Sequence, residues 1–175
     1  MCKAIHCSES FVLQTLALDP VSYRDAMSQL AGHVHIVTTA EGEARRGVTI
    51  TAACSVSDDP ATLLVCLNQA NVRNDIFLTS GCFALNVLGA DQIGLANVFS
   101  GREPIEPEYR FDHGDWGTLL TGAPSLNGAM AVFDCEVIDV KRIATHMVLF
   151  GKVVAMQTAE AREALVYLNR GYRSV

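Results

Sequence analysis

From Arg45 to Asn68 the chain reads RRGVTITAACSVSDDPATLLVCLN, two extended segments joined by a tight link. Val48 to Ser57 sets Val, Ile and Thr among small residues, Ala52, Ala53, Cys54 and Ser55. Ser57-Asp58-Asp59-Pro60 then breaks the run, because Asp and Pro favour turns and a residue before proline is driven out of the helical region. Thr62 to Leu67 follows as a nearly unbroken apolar strand. The small side chains fit two readings. Spacing alone favours a buried strand beside bulky neighbours. Alternatively, Thr49, Thr51, Ala52 and Ala53 leave backbone amides and hydroxyls near the surface, where a flat, polar-edged ligand can lie.

Around this pair the chain reads as strands joined by turns. Residues 1–20 form an extension, expected to be poorly ordered, with a weak apolar patch from Phe11 to Leu18 and a boundary at Asp19-Pro20. The domain proper is expected over 21–175. Ser22 followed by Asp25 resembles a capping box opening a short helix, with Tyr23, Met27 and Leu30 on one face and Gly32 at its end. His33 to Thr39 reads as a strand and Ala40 to Arg46, centred on Gly42, as a hairpin connection. Asn71 is placed to cap a short helix with Val72, Ile76 and Phe77 inward; its N-terminus with Arg73 is either an anion site or a solvated surface turn. Cys82 to Leu88 is a buried strand, and Asp91 caps a helix closed by Gly101. Residues 101–128 form a long connection carrying Arg110-Phe111-Asp112-His113 and the single tryptophan, Trp116, expected to plug the core. Ala129 to Val140 alternates, with Asp134 and Glu136 on the wetter face. Thr145 to Ala155 is the last clear strand, with Gly151 as a bulge. Thr158 to Ala164 reads as one helical turn, and Leu165 to Asn169 as helix or strand. With no βαβ rhythm, this order predicts a mainly β domain, an antiparallel barrel or sandwich.

At 175 residues the chain fits one domain, and with half of its residues hydrophobic it has apolar surface to bury against a partner chain. A net charge of −6 argues against a nucleic-acid partner. No apolar run approaches a membrane span and no signal peptide is convincing, so cytoplasm is the default location. Cys54, Cys66, Cys82 and Cys135 sit in apolar, strand-like segments, and Cys2 and Cys7 in the N-terminal tail; without Cys-x-x-Cys spacing they read as reduced thiols. His33 and His35 share a strand face, but no third ligand lies near, and no metal is expected.

Familiar catalytic signatures are absent: no G-x-G-x-x-G, Walker loop, G-x-S-x-G or H-E-x-x-H. Asp134 and Glu136 mimic a glycosidase pair but read better as a solvated strand edge. A resemblance supplies what the residues alone do not. Y-R-D-A-M, G-V-T-I-T-A-A-C-S-V-S-D-D-P, F-A-L-N-V-L with Gln92, F-D-C-E, A-T-H-M-V-L-F-G-K-V and a terminal G-Y occur in order from about Tyr23 to Tyr172. Together they resemble the short-chain flavin reductases, the reductase partners of two-component flavin monooxygenases, and most closely the reductase of the pyrimidine-utilisation pathway. That resemblance implies an FMN-binding split barrel, a homodimer, and FMN (or FAD) bound near the subunit interface.

By the same resemblance, Thr49, Thr51 and Ala52 lie along the isoalloxazine edge with Ser57 nearby, and Asn68 to Arg73 approach the ribityl-phosphate arm. Here the chain has Ala70, Asn71 and Arg73 where the family often has serines and a threonine. His146 matches the family's nicotinamide-side histidine, although Ala144 replaces the usual glycine, and Tyr172 matches a C-terminal aromatic near the same site. The implied reaction is hydride transfer from C4 of NADH or NADPH to flavin N5, with the reduced flavin passed to a separate monooxygenase; no acid–base dyad is required. The alternatives are a non-catalytic flavin- or haem-binding module on the same barrel, and a reductase that keeps its flavin and reduces another acceptor.

Overall fold

The computed structural model describes residues 18–175; all but the last three residues of the expected extension, with Cys2 and Cys7, lie outside them. Asp19 caps helix α1 (Pro20–Met27), its carboxylate accepting from the amides of Val21 at 2.8 Å and Ser22 at 3.1 Å. The cap therefore precedes the expected Ser22 box: Asp19 reaches the free amides first, and Pro20 sits where its missing N–H is not needed. No residue of α1 is buried; Tyr23 and Met27 are 56% and 44% exposed, and Leu30 beyond them 67%. The shared face expected of these three side chains is exposed among the described residues.

The strand expected over His33–Thr39 is divided into β1 (Gly32–His33) and β2 (His35–Glu41). Gly42, at φ +60°, turns β2 into β3 (Ala44–Ile50) as expected of the hairpin. The stretch Val48–Ser57 is not one strand. It bends at Thr51-Ala52 into β4 (Ala53–Asp58), which pairs with β5 (Ala61–Asn68). After β5 come a 3₁₀ turn over Val72–Asp75, the short helix α2 (Ile76–Thr79) and β6 (Cys82–Val87). A 3₁₀ turn over Ala90–Gln92, rather than a cap at Asp91, leads into α3 (Ile93–Ser100); Gly101 ends it at φ +79°. Residues 101–128 hold a 3₁₀ helix (Pro107–Asp112) and the small hairpin of β7 (Trp116–Thr118) and β8 (Pro124–Leu126). Long strands β9 (Ala131–Ile143) and β10 (His146–Thr158) follow, then β11 (Leu165–Leu168) and β12 (Gly171–Ser174). No helical turn forms between Thr158 and Ala164.

The main sheet runs β3-β2-β6-β9-β10-β5-β4, antiparallel throughout. Its two edge strands are consecutive in the chain, joined by Thr51 and Ala52 alone. The sheet thus curls until its edges meet at one bend, closed by covalent chain rather than by a ladder of hydrogen bonds: a split barrel. Strands that switch partners in this way do so at bends, which periodicity does not reveal.

One core fills the barrel, with Val37, Leu63, Val65, Leu85, Met147 and Leu149 among its buried residues. A second lies outside it, where Phe99 of α3, Phe111 and Trp116 pack edge to face with centroids 5.1–5.3 Å apart. Trp116 thus serves the core, as expected. Gly47 admits this cluster against β3: a Cβ there would stand 2.4 Å from Phe99. Gly151 marks the expected bulge, its Cβ position 2.5 Å from Phe83. Asp134 departs from the expectation of a wet edge. It is fully buried, accepting from the Thr121 amide at 2.8 Å and from the Thr121 hydroxyl, whereas Glu136 is exposed. The four described cysteines are free, and burial, aided by Asp134, pushes the Cys135 thiol up to about 12.

Candidate functional site

β5 outruns the strand that covers it. β4 pairs with β5 from Ala61 to Val65, and the Cys66 amide still donates to Ala52 O at 2.9 Å. Beyond that bond, Leu67 and Asn68 look across to the unpaired edge of β3, and a cleft of about 800 Å³ opens between them. One wall is Arg46 and Val48–Ala52; the other is Cys66–Asn68 and Ala70–Asn74, with His146 joining it. The fold therefore gathers Thr49, Thr51, Ala52, Asn68, Asn71, Arg73 and His146 around one space.

Each wall is built for polar contact through its backbone. The Thr49 hydroxyl donates to Ala96 O at 2.8 Å, so it ties β3 to α3 and leaves the main chain to face the cleft. Thr51 and Ala52 are exposed, and among the described residues their amides find no backbone acceptor, the usual state of a strand at a bend. Asn68 Oδ1 accepts from the Ala70 amide at 2.8 Å and Asn71 Oδ1 from the Arg73 amide at 3.1 Å. The helix expected after Asn71 begins as a four-residue 3₁₀ turn, and Asn71 itself takes up its Arg73 amide. Asn74 and Arg46 were not foreseen. Asn74, 3% exposed, donates to Asn68 O at 2.9 Å and accepts from Arg46 Nε at 3.0 Å, so a buried guanidinium braces the turn. Nothing local marked it: Arg46 follows Arg45 in β3, at the end of what reads as a hairpin connection.

His146 opens β10 opposite Asn68, exposed, with Nδ1 2.8 Å from Thr145 Oγ1. The turn before it holds Ala144 at φ +48°, a conformation glycine takes without strain. Tyr172 stands apart from the cleft in a smaller cavity of about 200 Å³, which shares Thr49, Ile50 and Thr51 with it. There it packs edge to face on Tyr167 at 5.3 Å, with the Arg102 guanidinium 5.0 Å from its ring; burial raises its phenol above the ordinary value. Ser57 is not brought to the cleft. It lines a third cavity with His35, and its hydroxyl serves the turn at Asp59.

His33 and His35 stack at 5.1 Å, with His33 Nε2 2.8 Å from Leu88 O. His35 Nδ1 is buried without a partner among the described residues, and burial, reinforced by His33, holds the imidazole down at about 4. Among the described residues no group of three or more His, Cys, Asp and Glu side chains could hold a metal. No helix among them is long and apolar enough to cross a membrane. The cleft offers free amides along one side, guanidinium and amide groups along the other, and an exposed imidazole. That is equipment for orienting a planar, anionic molecule, not for nucleophilic attack.

Residues 27–175 match the model of the flavin reductase like domain. Among curated proteins, the chain is 46% identical over 157 residues to the FMN reductase (NADH) RutF 2 of Methylorubrum extorquens, covering 90% of each chain. Among solved structures it resembles BorF, the flavin reductase component of a bacterial two-component tryptophan halogenase. That match has a TM-score of 0.82 and 31% identity over 90% of this chain and 98% of that one. It also resembles the Streptomyces globisporus NADH:FAD oxidoreductase SgcE6 in complex with NAD and FAD fragments. There the TM-score is 0.81 at 26% identity, over 91% of this chain and 96% of that one.

Proposed function

The chain belongs to the flavin reductase-like domain family, and from that premise we propose that it is an NADH-dependent FMN reductase supplying reduced flavin to a separate monooxygenase. The carrying observation is the cleft between the free edge of β3 and the overhanging end of β5. Its volume of about 800 Å³ suits a flavin mononucleotide, cofactor sites spanning roughly 300–1,000 Å³. Its donor set suits the same molecule: amides for the ring edge and cationic groups for the phosphate.

A flavin held here would supply the hydride acceptor at N5 and a nicotinamide the donor at C4, so the two cofactors would carry the chemistry themselves. The chain's part is orientation. The Thr51 and Ala52 amides present N–H dipoles to the side of the ring that gathers negative charge, fixed in place before reaction. Thr49 contributes main chain, and Asn68, Asn71 and Arg73 hold the ribityl-phosphate arm. His146 and Tyr172, on separate sides of the bend, position the nicotinamide; neither needs to move a proton. FAD is the second flavin the open cleft admits.

A homodimer completes the reading. It is supported by the open apolar face formed by Tyr23, Met27 and Leu30, which a second chain would cover. Cytoplasmic residence is supported by four unpaired thiols. The test is to mix purified protein with FMN, and separately with FAD, add NADH, and follow the nicotinamide absorbance in air. Rapid oxidation that requires added flavin is expected. Flavin binding without oxidation of NADH or NADPH would overturn the reductase reading in favour of a binding module, and flavin retained through gel filtration would contradict release.

A further inference from the structure

His35 and Ser57 take no part in the cleft; the fold brings them together elsewhere. Past the β3–β4 junction, β4 and the other end of the barrel enclose a cavity of about 410 Å³, walled by Leu63, Leu85, Val87, Phe133 and Val153. His35, Ser57 and Asp58 are among its polar lining residues. The Ser57 hydroxyl already serves the turn at Asp59, and Asp58 is exposed, with no ion pair among the described residues. His35 is different: it is 9% exposed, and its Nδ1 is buried with no hydrogen-bond partner among the described residues. Its backbone lies between Ile50 of β3 and Val87 of β6. Its ring stacks on His33 at 5.1 Å, and His33 is itself held by Leu88 O, 2.8 Å from Nε2. A fixed imidazole thus stands in the wall of a largely apolar cavity with one polar atom unanswered. A buried polar group in that state is costly, so a fold that keeps it calls for a partner from outside the chain. Water is poorly suited, since a buried water needs about two to four polar partners and these walls are mostly carbon.

We propose that this cavity is a second ligand site, which takes a small uncharged phenol whose hydroxyl pairs with His35. A hydroxyl both donates and accepts, so it answers a neutral imidazole in either tautomer. The aromatic ring lies against Phe133 and the aliphatic walls. A carboxylate is excluded twice, by the apolar walls and by Asp58 at the lining. The volume falls within the roughly 300–1,000 Å³ of small-molecule sites. The site stands apart from the flavin cleft and does not depend on what fills it. The two are nonetheless neighbours: Thr51 and Ala52 line the cleft, and Ala53, next in the chain, lines the cavity.

Binding of phenol, toluene and 4-hydroxybenzoate is measured by isothermal titration at neutral pH, with and without saturating FMN, on wild type, H35F and V153F. Phenol is expected to bind wild type with a Kd of about 1 mM or below, in keeping with its few atoms. Toluene, of the same size, should bind about 5-fold more weakly for want of the hydrogen bond, and 4-hydroxybenzoate about 10-fold more weakly or worse. H35F keeps a ring but no nitrogen and should erase the difference between phenol and toluene. V153F fills the cavity from β10 and should weaken both by about 10-fold or more. His35 ring-proton resonances, identified by their absence from H35F, should shift when phenol is added. The phenol-to-toluene ratio on wild type needs no variant and carries the test should either variant fail to fold. Equal affinity for the two, or no binding of phenol, overturns the assignment and leaves water as the partner of His35. Phenol affinity unchanged in V153F also overturns it, as does binding abolished by FMN, which would place phenol in the cleft. So does affinity that falls as protein concentration rises, which would mean that a second chain fills the mouth of the cavity.

Discussion

Replacing His35 by Asn should flatten the acid side of the stability profile. His35 is 9% exposed, its Nδ1 has no partner among the described residues, and it is held neutral with a pKa of about 4 against 6.5 unfolded. Between those values the unfolded chain binds a proton that the folded chain refuses, so stability rises with pH across the window and is lost as pH falls. Integrating the two titrations from pH 7.5 to 5.0 gives a loss of about 2 kcal/mol, approaching about 3 kcal/mol below pH 4. The assay is urea unfolding at both pH values and one fixed protein concentration, wild type beside H35N. Groups common to both chains cancel in the difference. Wild type should lose about 2 kcal/mol more than the variant. Parallel losses would refute the reasoning and mean that His35 takes up its proton inside the fold.

Three further outcomes follow from the geometry. His146→Ala should raise the KM for NADH several-fold while leaving FMN affinity nearly unchanged; equal losses in separate titrations would mean the residue serves the flavin. Gly47→Ala places a methyl 2.4 Å from Phe99, which is 1% exposed and wedged against Phe111 and Trp116, so it should cost about 2 kcal/mol in denaturant unfolding. Asp134→Ala strips both Thr121 donors of their buried acceptor and should cost about 3 kcal/mol by the same measurement; a loss below about 1 kcal/mol would mean that water replaces the carboxylate.

Much of this was legible where neighbours in sequence decide the outcome. The hairpin at Gly42, the break at Asp58-Asp59-Pro60, the helix stop at Gly101 and the bulge at Gly151 all follow from local backbone chemistry. The gathering of Thr49, Thr51, Ala52, Asn68, Asn71, Arg73 and His146 in one cleft was anticipated through family resemblance, not through spacing. What escaped depends on sheet order. Nothing local announces that Val48–Ser57 must bend to serve two edges, and the bend carries Ser57 to the far cavity. Asp134 looked wet because alternation reports faces, whereas its acceptor role depends on Thr121, thirteen residues upstream. Arg46 braces Asn74 from another part of the chain, a contact no local pattern announces, and the apolar side chains of α1 lie exposed among the described residues, which spacing alone does not predict.

The two-residue junction between β3 and β4 also bears on turnover. Because one wall of the cleft is the edge strand β3 and the other the uncovered end of β5, no backbone ladder spans them beyond the single Cys66–Ala52 bond, and a ligand enters or leaves without unzipping a strand. The residence time of the flavin is then governed by the contacts it makes with side chains and free amides, with no opening step of the barrel added to the barrier. An enzyme that must surrender its reduced product within each cycle gains from that arrangement: the slot stays ajar by construction, and hand-off can keep pace with reduction.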